Sequence, residues 1–396
     1  MPVINRFAEL QHEIAEWRRD LHRNPELLYD VHRTAEVVAT RLREFGCDEV
    51  VEGIGRTGVV GVIRGRDGNN SAVRVIGMRA DMDALPVTEE SGKPWTSNTP
   101  GKMHACGHDG HTAMLLGAAK YLAETRRFAG TAVLIFQPAE EGGAGGKAMV
   151  DDGVMERFGI EEVYGMHNFP GIPIGQFAIR PGPLMAAADH FTIEIEGRGG
   201  HAAKPHATID SVLVGAQIVQ ALQAVVSRNV DPLKSGVVSV TTFQAGNAFN
   251  IIPQRARLVG TARSLEPAVR DLIERRMSEI VPSLAAAFGA TATLKYDRNY
   301  PVTVNHPEQT EKAIAAEEIV AGMDGVDPDI APVMGGEDFS FMLEKVPGAF
   351  IFVGNGENSA PVHNDRYDFN DEAIPSGTAL WSRLVERTMP QSPNEK

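Results

Sequence analysis

Short runs of apolar residues recur along this chain, separated by segments with helical periodicity or by loops. The runs are Gly58–Ile63, Val73–Met78, Thr131–Gln137, Glu162–Met166 and Ala349–Gly354. Because they are apolar throughout rather than at alternate positions, the strands that they predict are buried on both faces. The pattern predicts an α/β fold in which a mostly parallel sheet carries helices on both faces.

The pattern changes between about residues 188 and 297. Phe191–Glu196 alternates apolar and polar residues, which is typical of a sheet with one solvated face. Helical and strand patterns then follow at Ile209–Val226, Gly236–Gln244, Arg255–Arg263, Leu272–Phe288 and Ala290–Tyr296. The resulting βαββαβ order is ferredoxin-like. We therefore expect residues 187–296 to form a domain inserted into the α/β domain, which would contain residues 1–186 and 297–396.

Potential metal ligands are concentrated in His104–His111, which contains three histidines, a cysteine and an aspartate in eight residues. The whole chain has only two cysteines, and Cys106 stands beside these imidazoles. Thiolate, imidazole and carboxylate groups are the side chains that bind divalent transition metals. Apolar residues follow at helical spacing, so the segment is predicted to lie at the start of a helix.

Further candidate ligands follow the predicted strands. Because parallel strands bring their carboxyl ends to one edge of a sheet, residues from distant parts of the sequence converge there. The resulting ligand candidates are Cys106, His108, Glu141, His167 and His363. Each alone could be an ordinary loop residue, or for Cys106 a small core residue. Their recurrence at several strand ends favours a metal site.

Glu140 and Glu141 form an adjacent carboxylate pair after a predicted strand. One carboxylate can bind a metal while the other takes a proton from water and delivers it to a leaving nitrogen. We assign Glu141 to the metal and Glu140 to proton transfer. Asp83, which follows another strand, is predicted to orient a ligand imidazole, although Asp81 and Asp83 could instead be turn formers or helix caps.

A glycine-rich stretch after Glu141 permits a different interpretation. Gly143, Gly145 and Ala148 match a relaxed dinucleotide-binding fingerprint behind a strand. Two carboxylates directly before it would repel a pyrophosphate. A loop that needs backbone freedom beside a metal explains the glycines better.

The predicted inserted domain has a polar motif of its own, Gly197–His206, in which glycines surround His201. A second polar cluster contains Asn250. On these residues alone, ordinary turns explain the two motifs as well as a functional role does. We name Asn250 and Arg263 as candidate substrate-binding residues and His201 as a candidate catalytic residue.

Composition excludes several classes of partner. The formal net charge of −14 disfavours binding to nucleic acid or to an anionic membrane surface. No run of residues approaches the roughly 18 apolar residues of a membrane-spanning helix. The N-terminus lacks the apolar core of a signal peptide, and two cysteines do not make a disulfide framework. These features predict a cytoplasmic protein.

Taken together, the motifs resemble the M20 metallopeptidase family, in its amidohydrolase branch of hippurate hydrolases, N-acyl-amino-acid deacylases and auxin-conjugate hydrolases. They occur in family order over nearly the whole chain. The matching segments are Asp20–Leu27, Arg79–Pro86, His104–His111, Gln137–Gly143, Met166–Asn168, Gly197–His206, Asn250–Pro253, Gly335–Phe339 and His363. The resemblance implies a two-metal site with the ligand candidates named above, Glu140 as the base, and an inserted domain that forms a homodimer. It also implies that His201 acts on the substrate, across the dimer interface.

We therefore expect a metal-dependent amidohydrolase that cleaves an N-acyl amino acid into a carboxylic acid and an amino acid. A dipeptidase, an aminoacylase or a deacetylase of a biosynthetic intermediate such as N-acetyl-diaminopimelate would use the same chemistry. An inactive metal-dependent binding protein is a remote alternative, which Glu140 disfavours because binding needs no spare base. The donor set accepts Zn, Mn, Co or Ni alike.

Overall fold

The computed structural model describes residues 2–66 and 74–391, with the side chains of residues 2–4 left out. Val73, which was predicted to begin a strand, lies outside the described residues. The chain divides into two compact units. The first contains described residues up to 182 together with 304–331 and 338–391, and the second contains 183–303 and 332–337.

Helices and strands alternate through most of the chain. The helices are α1 Pro2–Arg23, α2 His32–Glu44, α3 His108–Thr125, α4 Glu140–Gly143, α5 Gly145–Asp151, α6 Val154–Phe158, α7 Ser211–Ala224, α8 Pro267–Ala287, α9 Pro307–Ala321, α10 Ser340–Leu343 and α11 Ile374–Thr388. The strands are β1 Glu49–Ile54, β2 Gly58–Arg64, β3 Arg74–Asp81, β4 Gly130–Gln137, β5 Glu162–Phe169, β6 Phe177–Ala178, β7 Gly182–Met185, β8 Ala187–Glu196, β9 Gly200–His201, β10 Gly236–Ala245, β11 Ile251–Ile252, β12 Arg255–Ser264, β13 Thr291–Tyr300, β14 Thr303–Asn305, β15 Val326–Asp327 and β16 Gly348–Gly354.

The first unit is built on an eight-stranded sheet in the order β1-β2-β4-β3-β5-β16-β6-β15. Its centre, from β4 to β16, is parallel, whereas β2 is antiparallel to both of its neighbours. Strands β4, β3 and β5 therefore end at the same edge. The predicted α/β class with a mostly parallel sheet is confirmed.

Helices cover this sheet and form the main core with it. Every residue of β16 is buried, which requires cover on both faces of the strand. Helix α3 packs against β3, β4 and β5, and it also contacts α1 and α11. The buried side chains of this layer include Trp381 and Phe7. Packing on three sides holds α3, which begins at His108, two residues after Cys106.

The second unit contains a four-stranded antiparallel sheet in the order β10-β12-β8-β13. Numbered along the chain, the strands lie 2-3-1-4, which is the ferredoxin-like arrangement. Helices α7 and α8 pack on one face over a separate core around Phe191, Ile193 and Leu258. The other face of β8 carries exposed His190 and Glu194, as the alternating sequence predicts.

Some elements differ from the sequence prediction. His167 was expected just past a strand but lies within β5, because the strand continues to Phe169. Strand β1 was not predicted, since its partly exposed residues do not form a continuous apolar run. No helix in the described ranges has both the length and the apolar content that crossing a membrane requires.

Candidate metal centre

The carboxyl ends of β3 and β4 place two acidic segments side by side. Asp81 ends β3, Asp83 follows it, and both side chains are buried. Glu140 and Glu141 follow β4 in the short helix α4. The Asp83 carboxylate accepts the backbone N–H groups of Glu140 at 2.9 Å and Glu141 at 3.1 Å. Asp83 thereby fixes the segment that carries the carboxylate pair.

The glycines after Glu141 serve backbone packing. A Cβ built at Gly145 would lie 1.6 Å from the Pro138 carbonyl oxygen, so only glycine fits there. Gly142 has a φ of +82°, which glycine adopts without steric cost. The backbone N–H of Gly146 is occupied, because it donates to Asp338 at 2.7 Å. These contacts support the explanation that the loop needs the backbone freedom of glycine, over the nucleotide-binding one.

Cys106 and His108 lie at the entrance of α3. Gly107 between them has a φ of +88°, and a Cβ there would lie 2.4 Å from Nδ2 of Asn168. The Cys106 Sγ is 3.3 Å from Nε2 of His167 on β5. Ligand atoms of Cys106, His108 and His167 lie within 4.8 Å of one another, so they can bind one ion.

A second group shares the same cysteine. Ligand atoms of Cys106, Glu141 and His363 also lie within 4.8 Å of one another. His363 Nε2 is 3.1 Å from Oε1 of Glu141. His363 has a φ of 64°, and its backbone N–H donates to the Ala105 carbonyl at 2.7 Å. Its side chain is 54% exposed, so this group faces solvent.

Several buried atoms in these two groups that could bind a metal are poorly satisfied by hydrogen bonds within the protein. Among the described residues, both ring nitrogens of His108 are buried without a hydrogen bond, and Oε1 of Glu141 is buried with an ion-pair contact to His363 at 3.1 Å. Buried polar atoms are rarely left unsatisfied in a native protein. Metal ions bound to one ring nitrogen of His108 and to the Glu141 carboxylate would satisfy those groups, and the thiol, imidazole and carboxylate ligands fit divalent transition metals.

The protonation equilibria of the site reflect an excess of buried carboxylates. Burial, with the charges of Glu141 and Glu140, raises the pKa of the Cys106 thiol well above its ordinary value. Burial lowers the pKa of His108, but Asp81 and Asp83 outweigh it and raise that pKa to about 10. A divalent cation would offset this negative charge and favour the thiolate.

His111 and Asn168 also contribute to the site, and sequence reasoning did not assign them a role. His111 Nδ1 donates to Asp81 at 2.7 Å, and its Nε2 accepts the backbone N–H of Asn168 at 2.9 Å. The Asn168 side chain donates to the Cys106 carbonyl at 2.6 Å. The two residues thus connect the cysteine loop to β5. The available signal was the spacing of His111, one helical turn after His108.

Three buried charged side chains form ion pairs at the same edge of the sheet. Arg79 donates to Asp81 at 2.7 Å and to Asp338 at 3.0 Å, and all three side chains are fully buried. Asp338 also accepts a hydrogen bond from Gln137 at 2.7 Å. Arg79 and Asp338 lie in segments that carried the family resemblance, but their pairing could not be predicted because they are far apart in the sequence.

The remaining candidates lie in the second unit. His201 is exposed at the end of β9, which pairs with β11 so that His201 lies opposite Ile251. The Asn250 carbonyl accepts the Ala202 N–H at 3.0 Å, so Asn250 lies beside the His201 loop. Arg263 is half-buried on β12, and a Cβ at Gly336 would lie 3.1 Å from its Nη1.

The chain is similar to several known proteins. The sequence pattern of peptidase family M20/M25/M40 matches residues 77–387. Hippurate hydrolase of Campylobacter jejuni is 41% identical over 97% of this chain and 99% of its own length. Thermostable carboxypeptidase 2 of Saccharolobus solfataricus is 41% identical over 97% of this chain and 98% of its own. A solved structure, that of the YXEP protein of Bacillus subtilis, is described as a dinuclear metal-binding peptidase of the M20 family. It matches this structure with a TM-score of 0.83 and 32% sequence identity, and the match covers 96% of this chain and 99% of that chain.

Proposed function

Because this chain belongs to peptidase family M20/M25/M40, we propose that the site described above hydrolyses N-acyl amino acids through two divalent metal ions. The chain is a metal-dependent amide hydrolase, and its products are a carboxylic acid and an amino acid. Hippurate, the substrate named for one relative, is an amide of this class. The observation that carries the proposal is the group of buried potential metal-ligand atoms around His108 and Glu141. The carboxylate of Glu140 lies next to this group.

The ligands that we propose are Cys106, His108, Glu141, His167 and His363. Cys106 belongs to both groups of ligand atoms, so its thiolate would help to hold the metal. Asp83 is not itself a proposed ligand. It orients the ligand His108, because its Oδ1 lies 3.5 Å from Nδ1 of His108. When bound, the metal ions supply Lewis acidity, which acidifies water and polarises the substrate carbonyl.

Glu140 is the general base in this proposal. Its carboxylate takes a proton as the water oxygen bonds to the carbonyl carbon, and it returns that proton to the nitrogen as the C–N bond breaks. The side chain is only 7% exposed, so few solvent molecules compete for the proton. The Asp83 contact to its backbone N–H holds the base in place.

We assign His201 to stabilising the oxyanion of the tetrahedral intermediate. The Ala203 N–H lies 3.0 Å from His201 Nδ1 and donates to it. In the neutral ring this arrangement puts the proton on Nε2, which makes Nε2 a hydrogen-bond donor. An oxyanion needs such a donor. Residues 187–296 are proposed as a dimerisation domain that delivers His201 to the partner's site.

Arg263 and Asn250 are the proposed substrate-binding residues. Hippurate bears a free carboxylate on the amino-acid side of its amide bond. A carboxypeptidase likewise cleaves an amide bond whose amino-acid side bears a free carboxylate. A guanidinium is suited to bind that group in two hydrogen bonds. Burial lowers the pKa of Arg263, but a guanidinium stays protonated in proteins, so the cation persists. Gly336 leaves room beside it.

The named alternatives, a dipeptidase or a deacetylase, differ in the group on the acyl side of the bond. A dipeptide carries a free amine there, and a carboxylate placed to bind that amine would favour peptidase activity. We place the protein in the cytoplasm, in keeping with its cysteine content and composition.

A substrate panel tests the proposal. Metal-reconstituted protein is assayed for released amino acid with hippurate, acetyl-amino acids and dipeptides. We expect acyl-amino acids to be cleaved only in the presence of metal, and faster than dipeptides. A kcat/KM that is higher for dipeptides would contradict the proposed substrate class.

A further inference from the structure

The segment from Ala139 to Ala144 carries both Glu140 and Glu141 on a strained backbone. Ala139 and Ala144 have φ values of 55° and 54°, in the left-handed region that residues with a Cβ seldom adopt. Inside the short helix, Glu141 has a non-helical ψ of 71°. Such a conformation persists only when surrounding contacts hold it. The direction of the base therefore depends on those contacts.

Tyr29 supplies one of these contacts from a distant part of the sequence. Its hydroxyl donates a hydrogen bond to the Gly143 carbonyl at 2.7 Å. The preceding residue contributes as well, because the Leu28 carbonyl accepts the Ala139 N–H at 3.1 Å. A Cβ built on Gly143 would lie 3.4 Å from the Tyr29 ring, so the ring packs directly against the turn.

Tyr29 is itself held rigidly. Its carbonyl accepts a hydrogen bond from the Thr57 hydroxyl at 2.9 Å, and the Arg56 guanidinium lies 4.0 Å from the centre of its ring. Leu28 before it has a φ of 51°. A fixed hydroxyl can restrain the turn, whereas a mobile one could not.

We propose that Tyr29 is a positioning residue for Glu140, acting through the Gly143 carbonyl. The inference rests on the proposed role of Glu140 as the base. The hydroxyl fixes the far end of the turn while Asp83 fixes its near end at the Glu140 N–H. With both ends held, the Glu140 carboxylate stays within hydrogen-bond reach of the attacking water.

The test compares Tyr29→Phe with Tyr121→Phe in the metal-loaded enzyme. The Tyr121 hydroxyl also donates one hydrogen bond, to Glu386 at 2.9 Å, but lies between α3 and α11. We expect Tyr29→Phe to lower kcat by about three- to tenfold, the effect of one neutral hydrogen bond, with KM within about twofold. The control should keep the wild-type kcat. Equal kcat values for the two variants would overturn the proposal.

A double-mutant cycle with Glu140→Gln separates this role from a structural one. If Tyr29 acts through the base, Tyr29→Phe should have no further effect on the residual single-turnover rate of Glu140→Gln. An undiminished effect in that background would overturn the positioning role. So would a loss of kcat that excess metal restores, because it would place the effect on the ligand Glu141. A wild-type rate for Glu140→Gln alone would instead refute the proposed base.

Discussion

At the scale of single residues, the two adjacent glutamates have different surroundings. Burial raises the pKa of Glu141, but its contact with His363 and the charge of His108 outweigh burial, so the net pKa is lowered. Glu141 is therefore an anion suited to bind metal. Glu140 is buried beside it, and Asp83 accepts the backbone N–H groups of both residues. The contact with His363 supports Glu141 as the ligand of the pair, and Glu140 is the proposed base.

The variant Glu140→Gln tests that division, because it keeps the shape of the side chain and removes the base. Metal content should stay at the wild-type level while kcat falls by about 10²–10⁴-fold. Metal analysis and turnover are measured on the same preparation. Near wild-type turnover in a fully metal-loaded variant would contradict the assignment.

Cys106→Ala tests the proposed thiolate ligand, with Cys47→Ala as its matched control. Cys47 is half-buried, and burial together with Asp48 raises its pKa to about 12. In cobalt-substituted protein, Cys106→Ala should lose the thiolate-to-metal absorption band along with bound metal, while Cys47→Ala keeps both. Retention of the band in Cys106→Ala would rule out ligation by that thiolate.

At the scale of elements, the sequence predicted those strands whose burial makes them continuously apolar, and it predicted the ligand motifs at their ends. It missed β1, whose exposed glutamates interrupt the pattern, and the very short β6 and β15. Among site residues it missed Asn168 and Asp338. Each acts through a partner distant in sequence, and a side chain's hydrogen-bond partner cannot be deduced from its own motif.

Helix α9 carries a buried acid that makes stability depend on pH. Glu317 is fully buried, and neither carboxylate oxygen has a hydrogen-bond partner among the described residues. Burial, with a smaller effect of the Glu318 charge, raises its pKa to about 8. An unfolded glutamate has a pKa of about 4.3. Between these values the folded state binds a proton that the unfolded state does not, so stability falls as pH rises.

We therefore expect the stability of Glu317→Gln to fall less than that of the wild type as the pH rises. Between about pH 6 and pH 8, the wild-type free energy of unfolding should fall by about 2–3 kcal/mol more than that of the variant. Denaturant unfolding at both pH values measures the difference. Glu311→Gln, an exposed change on the same helix, should behave as wild type. Parallel pH profiles for wild type and Glu317→Gln would contradict the account.

At the scale of the whole molecule, the proposed dimer predicts complementation between inactive variants. His201→Ala should lower kcat by about 10²–10³-fold with metal retained, as loss of one oxyanion donor does. Exposed His206 in the same loop provides the control His206→Ala, which should stay active. If His201 acts in trans, each mixed dimer of His201→Ala and Glu140→Gln subunits regains one intact site. Random equal mixing should then restore about a quarter of wild-type activity. No recovery despite proven subunit exchange would refute the trans arrangement.

The central claim is that two metal ions in this site make the chain an N-acyl amino acid hydrolase. The most direct measurement is a titration of metal-free protein with a divalent metal, following glycine release from hippurate at each step. We predict no hydrolysis without metal and a rise in rate that reaches its plateau at two equivalents per chain. Hydrolysis by the metal-free protein, or none at saturating metal with any N-acyl amino acid, would contradict the claim.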